Sequence, residues 1–183
     1  MKIVLASRSP RRAELLSAAG IEFTVRVADV DETPSEREAP RDYALRIAQM
    51  KARAVRATAD EVVLAADTTV VLGDEIMGKP ADAADAVRML RALAGNRHEV
   101  ITAICLRCGG DIETDIASTS VWFAPLDDVE IADYVASGEP MDKAGAYGIQ
   151  GLASKFIDRI EGSYSNVVGL PIALTYRHLR EIL

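Results

Sequence analysis

The sequence predicts an α/β fold, and three observations carry the prediction. Lys2 to Ala6, apolar from Ile3 onward, and Val62 to Ala66, apolar throughout, are runs of strand length, the pattern of strands buried on both faces. Pro40 to Ala57 and the segment from Asp82 to Leu93 carry apolar residues at helical spacing. His98 to Cys108 and Glu113 to Phe123 read as long strands joined by Gly109-Gly110-Asp111, a hairpin signal.

At 183 residues the chain suits one domain with a substantial core, or one domain with a small appendage. No apolar run reaches membrane-spanning length and no signal-peptide core opens the chain, so a cytoplasmic protein is expected. The net charge of -7 argues against a broad nucleic-acid-binding face. A phosphate ligand would need a local cationic pocket in an acidic surface. The two cysteines, Cys105 and Cys108, form one CxxC late in a strand, with only His98 and His178 as further soft ligands, so ordinary packing is expected of them.

In chain order, the first strand is followed by Ser7-Arg8-Ser9-Pro10-Arg11-Arg12 and a helix to Ala19, stopped by Gly20. Ser9 suits the N-cap and Pro10 the first helical position. Arg11 and Arg12 oppose the helix dipole in the first turn, which makes sense if an anion sits among them; solvent-facing arginines are the plain alternative. Ile21 to Val27 alternates as a second strand. Asp29 to Pro34 is an acidic loop, with solvated turn chemistry as its default reading and an oxygen ligand to a hard cation as the sharper one. In the helix from Pro40, Leu45, Ala48, Ala52 and Val55 make the apolar stripe. Lys51 lies beside that stripe, where spacing favours a side chain snorkelling to water.

The apolar run from Val62 ends in Asp67, then Thr68 and Thr69, a second run Val70 to Leu72, and the turn Gly73-Asp74. An acid ending a strand is a way to aim a carboxylate into a cleft; a strand-end turn residue is the bland reading. Gly78-Lys79-Pro80 then sets a cation between two turn formers. Asp82 caps a helix with Ala83, Ala86, Val87, Leu90 and Leu93 inward, ended by Gly95. Asp127 with Glu130 is a capping box for a helix to Ala136. Lys143 to Gly151 (KAGAYGIQG) holds three glycines and one amide, Gln150, and suits close backbone approach to a ligand. A short strand from Phe156 to Ile160, a helical turn at Ser163 to Val168 and a helix opened by Pro171 complete the chain.

The residues without a structural explanation are Arg11, Arg12, Lys51 and Lys79 as cations, Glu32 and Asp67 as acids, and Gln150. Cations and carboxylates without histidine form a kit for a metal-bound polyphosphate. No GxxxxGK[ST], GxGxxG or GxSxG occurs.

The motifs LASRSPRR at the start, VDE at 30–32, LAADTTV at 64–70, GKP at 78–80 and KAGAYGIQG at 143–151 resemble the Maf family of septum-formation-inhibitor-like nucleotide pyrophosphatases. The resemblance spans the chain. It implies a single domain over 1–183 with a mixed sheet and flanking helices like that of inosine triphosphate pyrophosphatases, two lobes about a cleft, and a homodimer. It also implies cleavage of a nucleoside triphosphate to the monophosphate and pyrophosphate with Mg²⁺ or Mn²⁺. The YGIQG form is similar to the branch acting on dTTP and UTP. Site residues implied are Asp67 as the base; Ser7, Arg11, Arg12, Lys51, Thr68, Lys79 and Gln150 at the substrate; and Glu32 and Asp67 at the metal. A nucleotide-binding regulator of cell division without relevant turnover is the rival expectation.

Overall fold

A four-residue strand, β1 (Lys2–Leu5), opens the computed structural model, which describes residues 1–182. Its apolar Ile3, Val4 and Leu5 are buried, as expected of a strand covered on both faces. Helix α1 (Pro10–Ala18) returns the chain to β2 (Phe23–Val25), and α2 (Pro40–Ala54) returns it to β3 (Glu61–Leu72). Both β2 and β3 pair parallel to β1. Parallel neighbours need such crossovers, and helices supply them here. The turn at Gly73-Asp74, with Gly73 at φ 60, folds β3 back onto β4 (Glu75–Met77) as an antiparallel pair.

Helix α3 (Ala83–Leu93) begins at Asp82, whose side chain accepts from the Asp85 N–H, and stops before Gly95 at φ 67. Strands β5 (Arg97–Cys108) and β6 (Asp111–Phe123) flank the Gly109-Gly110 turn. Helix α4 (Asp128–Ala136) carries the full reciprocal capping box of Asp127 and Glu130. Three short 3₁₀ turns lead to β7 (Ile157–Glu161), antiparallel to β6, and then to α5 (Tyr164–Val168) and α6 (Ile172–Ile182). The sheet order is β2-β1-β3-β5-β6-β7, with β4 on β3, so the expected mixed sheet with helices is present.

The chain divides into two compact units, Met1–Thr68 with Thr102–Ala117 and Gly169–Leu183, and Thr69–Ile101 with Ser118–Val168. Each has its own core. In the first, Leu5, Leu16, Leu64, Ile104, Leu106 and Leu170 pack together. In the second, Met77, Leu90, Leu93, Ile131 and Phe156 pack with the aromatic rings of Phe123, Tyr134 and Tyr147.

Four sequence readings change. Asp67 does not end a strand: β3 runs on through β-branched Thr68, Thr69, Val70 and Val71, which favour extended backbone. The apolar face of α2 is Ala44, Ile47, Ala48 and Ala52, with Leu45 only half-buried. That rotation of the helix turns Lys51 inward. Ser9 stands at the N-cap of α1, yet its hydroxyl makes no capping bond; the Ser9 N–H instead donates to Ser7 Oγ at 3.1 Å. β2 is three residues long, shorter than the alternation from Ile21 to Val27 suggests. Among the described residues no helix is long and apolar enough to cross a membrane.

Candidate active site

In the first unit, β3 carries Asp67 at only 5 % exposure. A bare carboxylate there would be costly, and the partner that offsets the cost comes from α2. Lys51 Nζ donates to Asp67 Oδ1 at 2.7 Å and lies 2.9 Å from Glu32 Oε1. Its side chain is 15 % exposed, so the snorkelling reading is overturned: the ammonium is the shared counter-charge of two acids. Burial pushes the Asp67 carboxyl above its ordinary range, while Lys51 and then Arg12 pull it back. The result is a carboxylate more basic than a surface aspartate.

Glu32 owes its place to a pinned loop. Arg8 pairs with Asp29, the Tyr43 hydroxyl donates to the Glu32 carbonyl at 2.9 Å, and Arg46 Nη2 donates to the Thr33 carbonyl at 3.1 Å. The Tyr43 phenol is pushed up to about 12 by burial first and by the charges of Asp67 and Glu32 next, so it stays a donor.

Arg12 is 9 % exposed and faces inward from the first turn of α1. Its Nε donates to the Gly169 carbonyl at 2.7 Å, Nη1 to Ser7 Oγ at 3.1 Å and Nη2 to Thr68 Oγ1 at 3.0 Å. Thr68 Oγ1 lies 2.9 Å from Thr102 Oγ1. Burial lowers the Arg12 guanidinium, and the Asp67 charge opposes that. Arg11, beside it, is half-buried. The structure therefore joins Ser7, Arg12 and Thr68 in one hydrogen-bonded group and Glu32, Lys51 and Asp67 in another, the two adjoining where Asp67 and Thr68 follow each other on β3. Sequence reading missed Tyr43, Thr102 and Gly169, which lie in ordinary helix, strand and loop contexts and meet these groups only through tertiary contact.

Two carboxylates already converging on one cation are a hard-oxygen donor set that suits Mg²⁺ or Mn²⁺. A separate group, Glu113, His178 and Glu181, has donor atoms within 4.8 Å of one another and could hold a metal. There His178 already meets Glu113 Oε1 at 2.7 Å and Asp115 Oδ2 at 2.9 Å, and these carboxylates raise its imidazole. Both cysteines are free; burial pushes the Cys105 thiol up to about 11, the mark of a packed and inert sulfur.

Lys79 and Gln150 belong to the second unit, and both are exposed. Their motifs meet there: the Gly145 N–H donates to the Gly78 carbonyl at 3.0 Å. Gly145 has φ 68, and a Cβ on it would lie 2.9 Å from Val70. Glycine is required on both counts.

The pattern of the family described as "Maf-like protein" matches residues 2–182. A dTTP/UTP pyrophosphatase of Anaeromyxobacter dehalogenans (strain 2CP-C) is 56% identical, with 98% of this chain and 93% of that one covered. A dTTP/UTP pyrophosphatase of Koribacter versatilis (strain Ellin345) is 52% identical, with 98% and 94% covered. Among solved structures, the Staphylococcus aureus Ham1 protein aligns over 100% of both chains with a TM-score of 0.55 at 16% identity. A HAM1 protein from Coxiella burnetii aligns over 99% of both with a TM-score of 0.56, also at 16% identity. Those two likenesses concern the fold alone.

Proposed function

Because the chain belongs to the Maf-like family, we infer that it is a nucleoside triphosphate pyrophosphatase acting on dTTP and UTP. It releases the monophosphate and pyrophosphate and so removes these nucleotides from the pool. The observation that carries the chemistry is Asp67, a buried carboxylate with raised basicity held on Lys51 beside Glu32.

In the proposed mechanism Asp67 accepts a proton from the water that attacks the α-phosphorus. The bond from that phosphorus to the α,β-bridging oxygen breaks, and pyrophosphate leaves with the electron pair. Lys51 opposes the effect of burial on Asp67 and favours the ionised form that a base requires. Ser7, Arg11, Arg12, Lys51 and Thr68 are assigned to the triphosphate, whose developing charge fixed cations meet without reorganisation. Lys79 and Gln150 are assigned to the substrate on their motifs. A divalent cation held by Glu32 and Asp67 would polarise the phosphoryl oxygen. The protein is further proposed to work as one domain over 1–183, as a cytoplasmic homodimer without stable binding to nucleic acid.

The test is pyrophosphate release across dTTP, UTP, CTP, GTP and ATP with Mg²⁺ or Mn²⁺, run beside Asp67→Asn. That variant keeps shape and loses basicity, so turnover should fall about 10²–10⁴-fold with triphosphate binding retained. Turnover within a fewfold of the parent would remove Asp67 from the mechanism. Tight triphosphate binding by the parent without pyrophosphate release would favour a nucleotide-binding regulator instead.

A further inference from the structure

Between the end of β2 at Val25 and the start of α2 at Pro40 the chain forms no helix or strand, and Glu32 lies midway along that segment. A segment without regular structure gives up conformational entropy when it is held in one place. The ion pair of Glu32 with Lys51 is too weak to offset that loss. Its Glu32 side chain is 50 % exposed, and a pair half in solvent contributes little. Other contacts must hold Glu32 beside Asp67.

Helix α2 supplies them. The Tyr43 hydroxyl donates to the carbonyl of Glu32 itself at 2.9 Å, and Arg46 Nη2 donates to the next carbonyl, that of Thr33, at 3.1 Å. Arg46 also forks onto Glu38, Nε to Oε1 at 2.6 Å and Nη2 to Oε2 at 2.7 Å. Glu38 Oε2 in turn accepts from the Ser35 N–H at 3.0 Å, and Asp31 Oδ1 from the Thr33 N–H at 2.9 Å. The Glu38 side chain is 11 % exposed, so the fork is better shielded from water than the Glu32–Lys51 pair, and two parallel bonds to a carboxylate are the stronger kind. None of these bonds chooses the Glu32 side-chain torsions; the contact with Lys51 does that. What they fix is a backbone from which the carboxylate reaches Lys51, eight residues beyond Tyr43 on the same helix.

We propose that Tyr43 and Arg46 are positioning residues for the divalent cation: they hold the segment around Glu32 against α2, so that its carboxylate and that of Asp67 converge in advance. The proposal rests on the reading that Glu32 and Asp67 hold the cation. Asp67 is fixed by β3, whereas a Glu32 on a loose segment would have to be gathered in at each binding event. That ordering would be subtracted from the affinity for the metal. One helix therefore carries both the shared counter-charge of the two acids and the anchors that bring the second acid to the first.

The experiment titrates the nucleotide-free protein with Mn²⁺, reading the free ion by electron paramagnetic resonance, with the melting temperature measured beside it. The variants are Tyr43→Phe, Arg46→Gln, Glu32→Gln and the double variant Tyr43→Phe/Glu32→Gln. Tyr43→Phe keeps the ring and removes one donor, and should weaken Mn²⁺ binding about fivefold, the effect of one hydrogen bond. Arg46→Gln gives up the fork and the Thr33 contact and should weaken it about tenfold; it keeps the proposal falsifiable if Tyr43→Phe does not fold. In the Glu32→Gln background Tyr43→Phe should weaken binding no further, because the carboxylate through which it acts is gone. Mn²⁺ binding unmoved in Tyr43→Phe and Arg46→Gln, whatever their melting temperatures, would make both residues merely structural and overturn the proposal. A fivefold loss repeated in the Glu32→Gln background would show that Tyr43 does not act through Glu32, and would overturn it as well. Binding unmoved in Glu32→Gln itself would remove Glu32 from the metal and overturn the underlying reading together with the proposal.

Discussion

Lys51→Met tests whether the ammonium between two acids is what keeps a buried base ionised. The variant keeps an aliphatic stem on the inward side of α2 and removes only the charge and its donors. Two ion pairs are lost, and they are unequal. Glu32 has a side chain half in solvent, so its pair with Lys51 contributes about 0–1 kcal/mol. Asp67 is buried with Lys51 at 2.7 Å, and breaking a pair of that kind costs about 3–5 kcal/mol because the remaining charge is left uncompensated. Asp67 can escape that cost only by taking up a proton, since burial already raises its carboxyl and the largest opposing influence is gone. Arg12 still opposes protonation, so the full figure is an upper bound; each 1.4 kcal/mol of it that survives lowers the ionised fraction about tenfold on the acidic limb. The assay is pyrophosphate release from UTP between about pH 5.5 and 9.5. The acidic limb of kcat/KM should move to higher pH, with activity at neutral pH reduced at least about tenfold and recovered on alkalinisation. A limb at the parent's pH, with activity lowered by the same factor throughout, would refute the reasoning and make Lys51 a substrate contact alone.

Arg12→Ala strips donors from a carbonyl and two hydroxyls inside the first unit and should cost about 2–4 kcal/mol in urea unfolding; a loss within about 0.5 kcal/mol would contradict the inward placement of Arg12. Gln150→Glu should lose dTTP and UTP activity by more than about tenfold, since a carboxylate beside a uracil carbonyl sets two acceptors face to face. The ratio of UTP to GTP turnover checks this, guanine offering two adjacent donors instead. His98 is buried against Tyr147 and Phe123, and desolvation lowers its imidazole from 6.5 to about 4. Its folded-state pKa lies below the unfolded value, so the unfolded chain binds the proton first. The contribution is present above about pH 6.5 and is lost as pH falls toward about 4. Between about pH 6.5 and 4.5 the parent should lose about 2–3 kcal/mol more unfolding free energy than His98→Gln, and parallel curves would show that His98 charges freely in the fold.

Short-range chemistry was legible in the sequence. The Asp127–Glu130 capping box, the Gly109-Gly110 hairpin turn, the Asp82 cap and the termination at Gly95 all depend on residues within a few positions of one another, and each forms as read. The ordered motifs also carried the family, because their chemistry stands in the residue types. Orientation was not legible. Lys51 beside an apolar stripe suits water or the interior equally well by spacing, and only the 2.7 Å contact with Asp67, sixteen residues later, turned it inward. Arg12 found its acceptor on Gly169, 157 residues away, and Glu139 found the Leu152 N–H across a loop. A helix or strand follows from local periodicity, whereas the partner of a buried charge follows from which backbones the fold brings together. Burial then makes that partner obligatory, since an unpaired charge in the core costs more than the fold can spare.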